Sequence, residues 1–451
     1  MQKGMNKFQT ILLIIFAVGI FIGVALFAGV RPGGNEAKVM QGTIKIWGTL
    51  DDTTFNNALG PAIEQVGEMK IEYKKYKPEE FYVELVDALA SGTGPDVILI
   101  TGDDVVRQQS RIVPLAYTNF PKSLYNDMYV NSAQIFFTNS GVAAFPLFID
   151  PLVMYYNKDT LSSNFLLDPP NTWDSLVNMV PDFTVATDSG GIEKSTVALG
   201  SFANVPHATD IISTLMMQLG NPIVVTTDKG VFESTFKDQT TESAMTPALS
   251  ALQFYLGFTD KTQKTYSWNT SLPNARDAFL AGDLAFYLGY ASEFPDIRRS
   301  NPNLNFGVTI IPQLNNAPAK VTYGRLYGLA VTRTTQNIPG AFSAVQAIAS
   351  KDSIFELANA FHLPPVRRDL LNVDIDDPNF RVFYQSAIIA RMWPKPDVMS
   401  TDAIIESLIN DASSGRDSLN RLIDVADDSF ADLYKKYGPK EVVPTDTEMN
   451  Q

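Results

Sequence analysis

At 451 residues, with 45% hydrophobic and 19% charged residues, the chain is long enough for two or more domains and has the composition of a folded protein rather than a disordered one. Its net charge of −14 and pI near 4.7 speak against nucleic acid or an anionic lipid surface as partner, because phosphate binding needs concentrated Lys and Arg. The absence of Cys removes disulfides, thiolate nucleophiles, Cys-based zinc sites and lipid attachment at an N-terminal Cys.

Residues 8–30 carry no charge between Lys7 and Arg31, and at 1.5 Å per residue they reach about 30 Å, the depth of a bilayer core. Lys3 and Lys7 put the N-terminus in the cytoplasm and the rest of the chain outside. A cleaved signal peptide is the competing reading. Its apolar region is ordinarily shorter, and the small pair Gly23 and Ala25 lies inside the apolar run, so residues 1–30 are expected to stay as a single-pass anchor. Residues 31–42 are polar and Gly-rich and read as a linker.

Folding is expected to begin at Thr43. Residues 43–47 (TIKIW) alternate as a strand, Asp51 and Asp52 suit a helix cap before a helix to about Val66, and residues 70–76 form a second strand. Residues 79–91 place Phe81, Leu85, Ala88 and Leu89 at helical spacing, stop at Gly92 and lead into an apolar strand at 97–100. This β-α-β-α-β rhythm is that of a parallel sheet covered by helices.

The stretch 144–159 (AFPLFIDPLVMYYNKD) reads as two short buried strands, 144–148 and 153–156, broken at Asp150-Pro151 because proline cannot donate to a sheet ladder. Asp150 there is either a turn acid or a carboxylate aimed into a cleft. Thr172 suits the cap of a helix at 173–180, 207–219 reads as a buried helix, and 223–226 with 230–233 as a hairpin around Asp228-Lys229. Helices follow at 241–258 and 272–281, apolar strands at 284–288, 305–311 and 328–331, and late helices at 338–348, 353–361 and 402–437. Residues 438–451 read as a flexible tail.

His207 and His362 are the only histidines, lack metal-ligand spacing and read as structural. The run Asp374, Asp376, Asp377 fails as a calcium loop, with Pro378 and Asn379 where a ligand and a glycine are wanted. There is no G-x-S-x-G, Walker loop or dinucleotide fingerprint, so no catalytic residues, metal or cofactor are assigned. Aromatic and acidic residues do recur where strands end: Trp47, Asp103 and Asp104, Asp150, Tyr290 and Glu293, and Trp393 in a loop stiffened by Pro394 and Pro396. In open α/β sheets ligands bind beyond strand ends. Flat rings and carboxylates together suit a sugar, although Trp47 and Tyr290 also fit a core, and Asp103 or Asp104 a helix cap.

Six patches carry a family resemblance: ALASGTGPDVILI (88–100) with the loop to Asp104, FPLFIDPLVMYYNKDTL (145–161), PPNTWDSL (169–176), NARDAFLAGDLAFYLGY (274–290), FGVTIIPQ (306–313) and ASSGRDSLNRLIDVA (412–426). In order and spacing the chain resembles extracellular solute-binding proteins of the maltose-binding class, which serve ABC importers. The resemblance implies an α/β, two-lobed periplasmic-binding-protein fold with a hinge. It assigns residues 43–149 with 310–365 to one lobe and 150–309 with 366–437 to the other. It also draws Trp47, Asp103, Asp104, Asp150, Tyr290, Glu293 and Trp393 to one cleft, with Trp393 as a stacking platform. The partners it implies are a small solute, a sugar above all, and permease subunits at the cell membrane. Gly289-Tyr290-Ala291-Ser292-Glu293 replaces a Trp-rich stretch and Asp150 a longer Glu, which turns the expectation away from maltose itself. A ligand-sensing receptor of the same fold and a glycoside hydrolase using two cleft acids are the alternatives.

Overall fold

The alternation of TIKIW is realised in β1 (Thr43–Gly48), where Ile44 and Ile46 are buried and Lys45 faces solvent. The structure, a computed structural model, describes residues 42–438 except 189–190, 228–229, 240–244, 316 and 318. The proposed anchor at 8–30, the tail beyond Gly438 and the turn Asp228-Lys229 lie outside these residues. Among the described residues no helix is long and apolar enough to cross a membrane.

β1 pairs in parallel with β2 (Lys70–Lys75) and β3 (Val97–Thr101). The first crossover is two helices rather than one. Asp51 accepts the Thr54 N–H at 2.9 Å to start Asp52–Asn57, and a second helix, Gly60–Val66, restarts at Pro61, whose missing N–H costs nothing in a first turn. The second crossover, Pro78–Ser91, ends on Gly92 in the left-handed region, φ 73°.

The expected break at Pro151 is absent. β4 (Phe145–Asn157) is one continuous strand. Through residues 145–151 it pairs with β11 (Thr322–Val331), and through 152–156 with β9 (Leu284–Tyr290). Pro151 stands where β4 changes partners, so its missing N–H interrupts neither ladder. β10 (Phe306–Thr309) flanks the second half of β4 on the side away from β9. Beyond β9 lie β6 (Ile192–Val197) and β5 (Val185–Ala186), giving the order β2-β1-β3-β11-β4-β9-β6-β5. β7 (Val224–Thr226) and β8 (Phe232–Ser234) form the expected hairpin, and β12 (Ala390–Arg391) pairs with the start of β11. β4 is buried almost throughout, as a central strand covered on both faces must be.

A second chain passage joins β10 to β11. A third brings Pro364 beside β4, where its carbonyl accepts the Ile149 N–H at 3.1 Å. Past it, Arg368 donates to the Asn126 carbonyl at 3.1 Å, so Arg368–Leu371 stays with the helix Lys122–Met128. The late helix is also split. Val398–Ser413 and Leu419–Tyr437 are separated at Gly415, φ 66°, with Ser418 capping the second through the Arg421 N–H. Asp377, last of the acidic run, caps Pro378–Ile389 rather than holding an ion; among the described residues no group of His, Asp and Glu is arranged to hold a metal.

Candidate functional site

Four pieces of chain meet where β4 changes partners: the turn after β3, the start of β11, the end of β9, and the loop after β12. The buried helix Ala208–Gln218 closes the group. Its first residue follows His207, which holds a left-handed backbone at φ 62°.

The centre of the group is Lys395, only 3% exposed. Its Nζ lies 2.6 Å from Asp210 and 3.9 Å from Asp103, and 4.6 Å over the Tyr323 ring. The Tyr323 hydroxyl donates to Asp103 at 3.0 Å and the Tyr290 hydroxyl to Asp210 at 2.6 Å. The Arg325 guanidinium sits 3.8 Å over the Tyr290 ring and 3.4 Å from Asp210. Burial alone raises the pKa of the Asp210 carboxyl, but Lys395 and Arg325 outweigh it and hold the group well below the usual carboxylate range. Asp103 is pushed up, because burial outweighs Lys395 at its longer distance. Lys395 is held charged: the two acids raise its pKa by more than burial lowers it.

Asp150 is 1% exposed and accepts the Ser292 N–H at 2.9 Å. Arg325 stands opposite it in the β4–β11 register, yet burial dominates and pushes the carboxyl up to about 6. Glu293 accepts from the Tyr290 N–H at 2.8 Å and the Tyr287 hydroxyl at 2.7 Å, with His207 Nε2 at 2.8 Å. Burial acts against its charge, but these bonds prevail and lower its pKa.

Of the seven residues singled out from sequence, Asp103, Asp150, Tyr290 and Glu293 thus belong to one buried polar network. Asp104 turns back on its own strand end, accepting from the Thr101 N–H and hydroxyl at 3.2 and 2.9 Å, which is the helix-cap reading. Trp47 lies apart, its ring 4.5 Å from Tyr76 with Lys74 above it at 5.6 Å. Trp393 is not the open platform that its proline-flanked loop suggested. It is 2% exposed, donates its indole N–H to Ser213 at 2.9 Å and meets Phe430 edge-on at 5.6 Å. Its burial comes from helices distant in sequence, which local pattern does not reveal.

Sequence reasoning missed Asp210, Tyr323, Arg325 and Lys395. Lys395 lies two residues from Trp393 in the same loop. Arg325 and Tyr323 were overlooked because the strand was expected only from Gly328. His207, read as structural, is a partner of Glu293.

Beside this network is a cavity of about 360 Å³. One wall comes from Val105, Val106 and Gln109 after β3, Lys122, and the segment that includes Gln134, Phe137 and Asn139; the other comes from the hairpin residues Thr226, Gly230 and Phe232, with Pro394 at the back. The walls meet at Gly230, φ 73°, where a Cβ would fall 1.9 Å from Asn139 Nδ2. On the same interface Arg107 reaches Asp397 at 3.2 Å. A mainly apolar and amide-lined space between two walls suits capture of a small polar molecule.

No curated protein sequence matches this chain. Solved structures do match. A cyclo/maltodextrin-binding protein complexed with maltotetraose has a TM-score of 0.71 at 15% identity over 91% of this chain and 100% of that one. A cyclic α-maltosyl-1,6-maltose binding protein from Arthrobacter globiformis has a TM-score of 0.70 at 16% identity, over 88% and 100%. An ABC transporter solute-binding protein from Thermotoga lettingae, bound with α-D-tagatose, has 0.65 at 19%, over 87% and 99%. At these identities the likeness shows the mixed α/β periplasmic-binding-protein fold. The model of the family described as bacterial extracellular solute-binding protein matches residues 58–381, most of the chain, and the protein belongs to that family of binding proteins.

Proposed function

We propose that the protein captures a sugar or oligosaccharide outside the cell and presents it to the permease of an ABC importer, tethered through residues 8–30. The observation that carries this reading is the cavity of about 360 Å³ between a wall of helices and turns that follow β3 and a wall formed by the separate β7–β8 hairpin, with charged contacts running across the same interface. Phe137 and Phe232 offer ring faces, and Gln109, Gln134 and Thr226 offer hydrogen bonds to hydroxyls. The neighbours of like fold described with maltotetraose, maltosyl-maltose and tagatose support a saccharide ligand.

In this reading the chain forms two lobes that exchange segments near Ile149, near Ile310 and after Pro365. The bond between Arg368 and Asn126 favours moving the third exchange past Leu371. Closure about these crossings gains contacts to a solute that the open form lacks, and only that difference shifts the population.

A thermal-shift screen of the detergent-purified full chain against mono- and oligosaccharides tests the proposal. Ligand at about 100 times Kd adds about 2.7 kcal/mol of stability. Small-angle scattering on the best ligand then follows closure. Absence of any stabilising saccharide at millimolar concentration would refute the sugar reading, and an unchanged radius of gyration at saturation would refute the hinge.

A further inference from the structure

We propose that the saccharide held between the two walls is acidic, a sugar bearing a carboxylate, and that Lys122 is its counter-ion; this rests on the sugar reading above. The cations of the neighbouring network and of the wall-to-wall contacts are already matched to acids of the chain. Lys395 and Arg325 are committed to Asp210, Arg107 to Asp397, and Arg276 to Glu293 at 3.5 Å. Lys122 differs. It lines the cavity, and among the described residues it has no carboxylate within 4.0 Å.

Its ammonium is nevertheless held in place. The Nζ lies 4.6 Å over the Tyr117 ring and 5.5 Å from the centre of Phe137, and those rings meet edge-on at 5.9 Å. The Tyr117 hydroxyl in turn donates to the Thr138 carbonyl at 2.7 Å, which fixes the aromatic pair to the cavity wall. Lys122 is exposed, and the two rings beside its ammonium favour this placement before any solute arrives; a pre-ordered partner is worth more to a ligand than a free one. Among the described lining residues none is acidic, so an entering carboxylate meets amides, hydroxyls, rings and one positive charge. The acids of the neighbouring network are turned inward and paired, and do not oppose it.

The test uses the detergent-purified full chain with galacturonate and glucuronate, free and as di- and trisaccharides, against neutral hexose saccharides of matching length. Binding is read by calorimetry and thermal shift at 20 and 300 mM NaCl, both for the wild type and for Lys122→Met. The expected result is that the uronides bind about tenfold more tightly than their neutral counterparts, as one charge-assisted contact implies. That advantage shrinks in high salt and disappears in Lys122→Met, while the remote control Lys70→Met retains it. Equal or tighter binding of neutral sugars overturns the charge inference and leaves the sugar reading standing. An acid preference that survives Lys122→Met overturns the role of Lys122. Failure of both series to bind overturns this inference and the sugar reading together.

Discussion

Replacing Asp150 by asparagine should stabilise the protein at neutral pH, although it removes a charge that faces Arg325. The carboxyl is 1% exposed, and its burial lifts it from 3.8 to about 6 despite Arg325 and the Ser292 N–H. At about 1.4 kcal/mol per pH unit, that rise corresponds to about 3 kcal/mol by which folding disfavours the ionised form. The sign follows from proton binding: between about 4 and 6 the native state binds more protons than the unfolded chain, so stability falls as pH rises through this window. The cost is fully present above about 6 and gone below about 4. The substituted amide would keep an oxygen for the Ser292 N–H without the charge, so Asp150→Asn should gain about 2 kcal/mol at pH 7.5 and almost nothing at pH 4. Urea unfolding of both proteins at several pH values measures this. A variant that is less stable than wild type at pH 7.5 would show that the pairing with Arg325 outweighs desolvation, and the reasoning would fail.

Lys395→Met should cost about 3 to 5 kcal/mol at neutral pH, because Asp210 and Asp103 are left buried with one less cation, and the loss should shrink as pH falls and the acids protonate, beginning above the usual carboxylate range because burial already pushes Asp103 up; thermal unfolding across pH reads both. Trp393→Ala should cost about 3 to 5 kcal/mol of stability, given its 2% exposure and the bond to Ser213. Lost ligand affinity with unchanged unfolding would instead restore the stacking-platform reading. Gly230→Ala should strain a left-handed position by about 1 kcal/mol and force Asn139 aside. The expected outcome is weaker solute binding and a larger ligand-bound radius of gyration; unchanged affinity would show that the walls need not meet there.

The order of strands and helices was legible because each element carries its own periodicity and punctuation. Ile44 and Ile46 alternate, Phe81 and Leu85 repeat at helical spacing, and Gly92 stops its helix where expected. The helix Ile338–Ile348 lies where the sequence reading put it. The errors arose where tertiary context decides. Pro151 reads locally as a break and is tolerated because the ladder changes partner at that residue. The first half of β11, with Tyr323 and Arg325, lacks the apolar run that marks a strand, since its polar side chains serve the buried network. The site was half legible for the same reason. Acids and rings at strand ends are visible in one dimension, but the cations that neutralise them come from positions 185 residues away in the case of Lys395 and Asp210.

In the proposed two-lobed reading, the way those charges are divided bears on how closure would be controlled. Lys395 is tight on Asp210 at 2.6 Å and loose on Asp103 at 3.9 Å, while Asp103 keeps the Tyr323 hydroxyl from its own part of the sheet. If the walls separate along the proposed two-lobed division, the pairs Lys395–Asp210 and Asp103–Tyr323 travel intact, while the long Lys395–Asp103 contact, the Arg325–Asp210 pair at 3.4 Å and the stack of Arg325 on Tyr290 are broken. A further bridge, Arg107 to Asp397, involves a side chain that is 38% exposed and is worth at most about 1 kcal/mol. The Arg325 contacts are thus what an open form gives up, and their worth against a solute's own contacts sets the balance of states. A near-balanced pair of states is the condition under which a modest solute decides the outcome, because the shift can be no larger than the ligand's preference for one state. A stronger built-in latch would close the cleft without its solute and remove the information that a transporter reads.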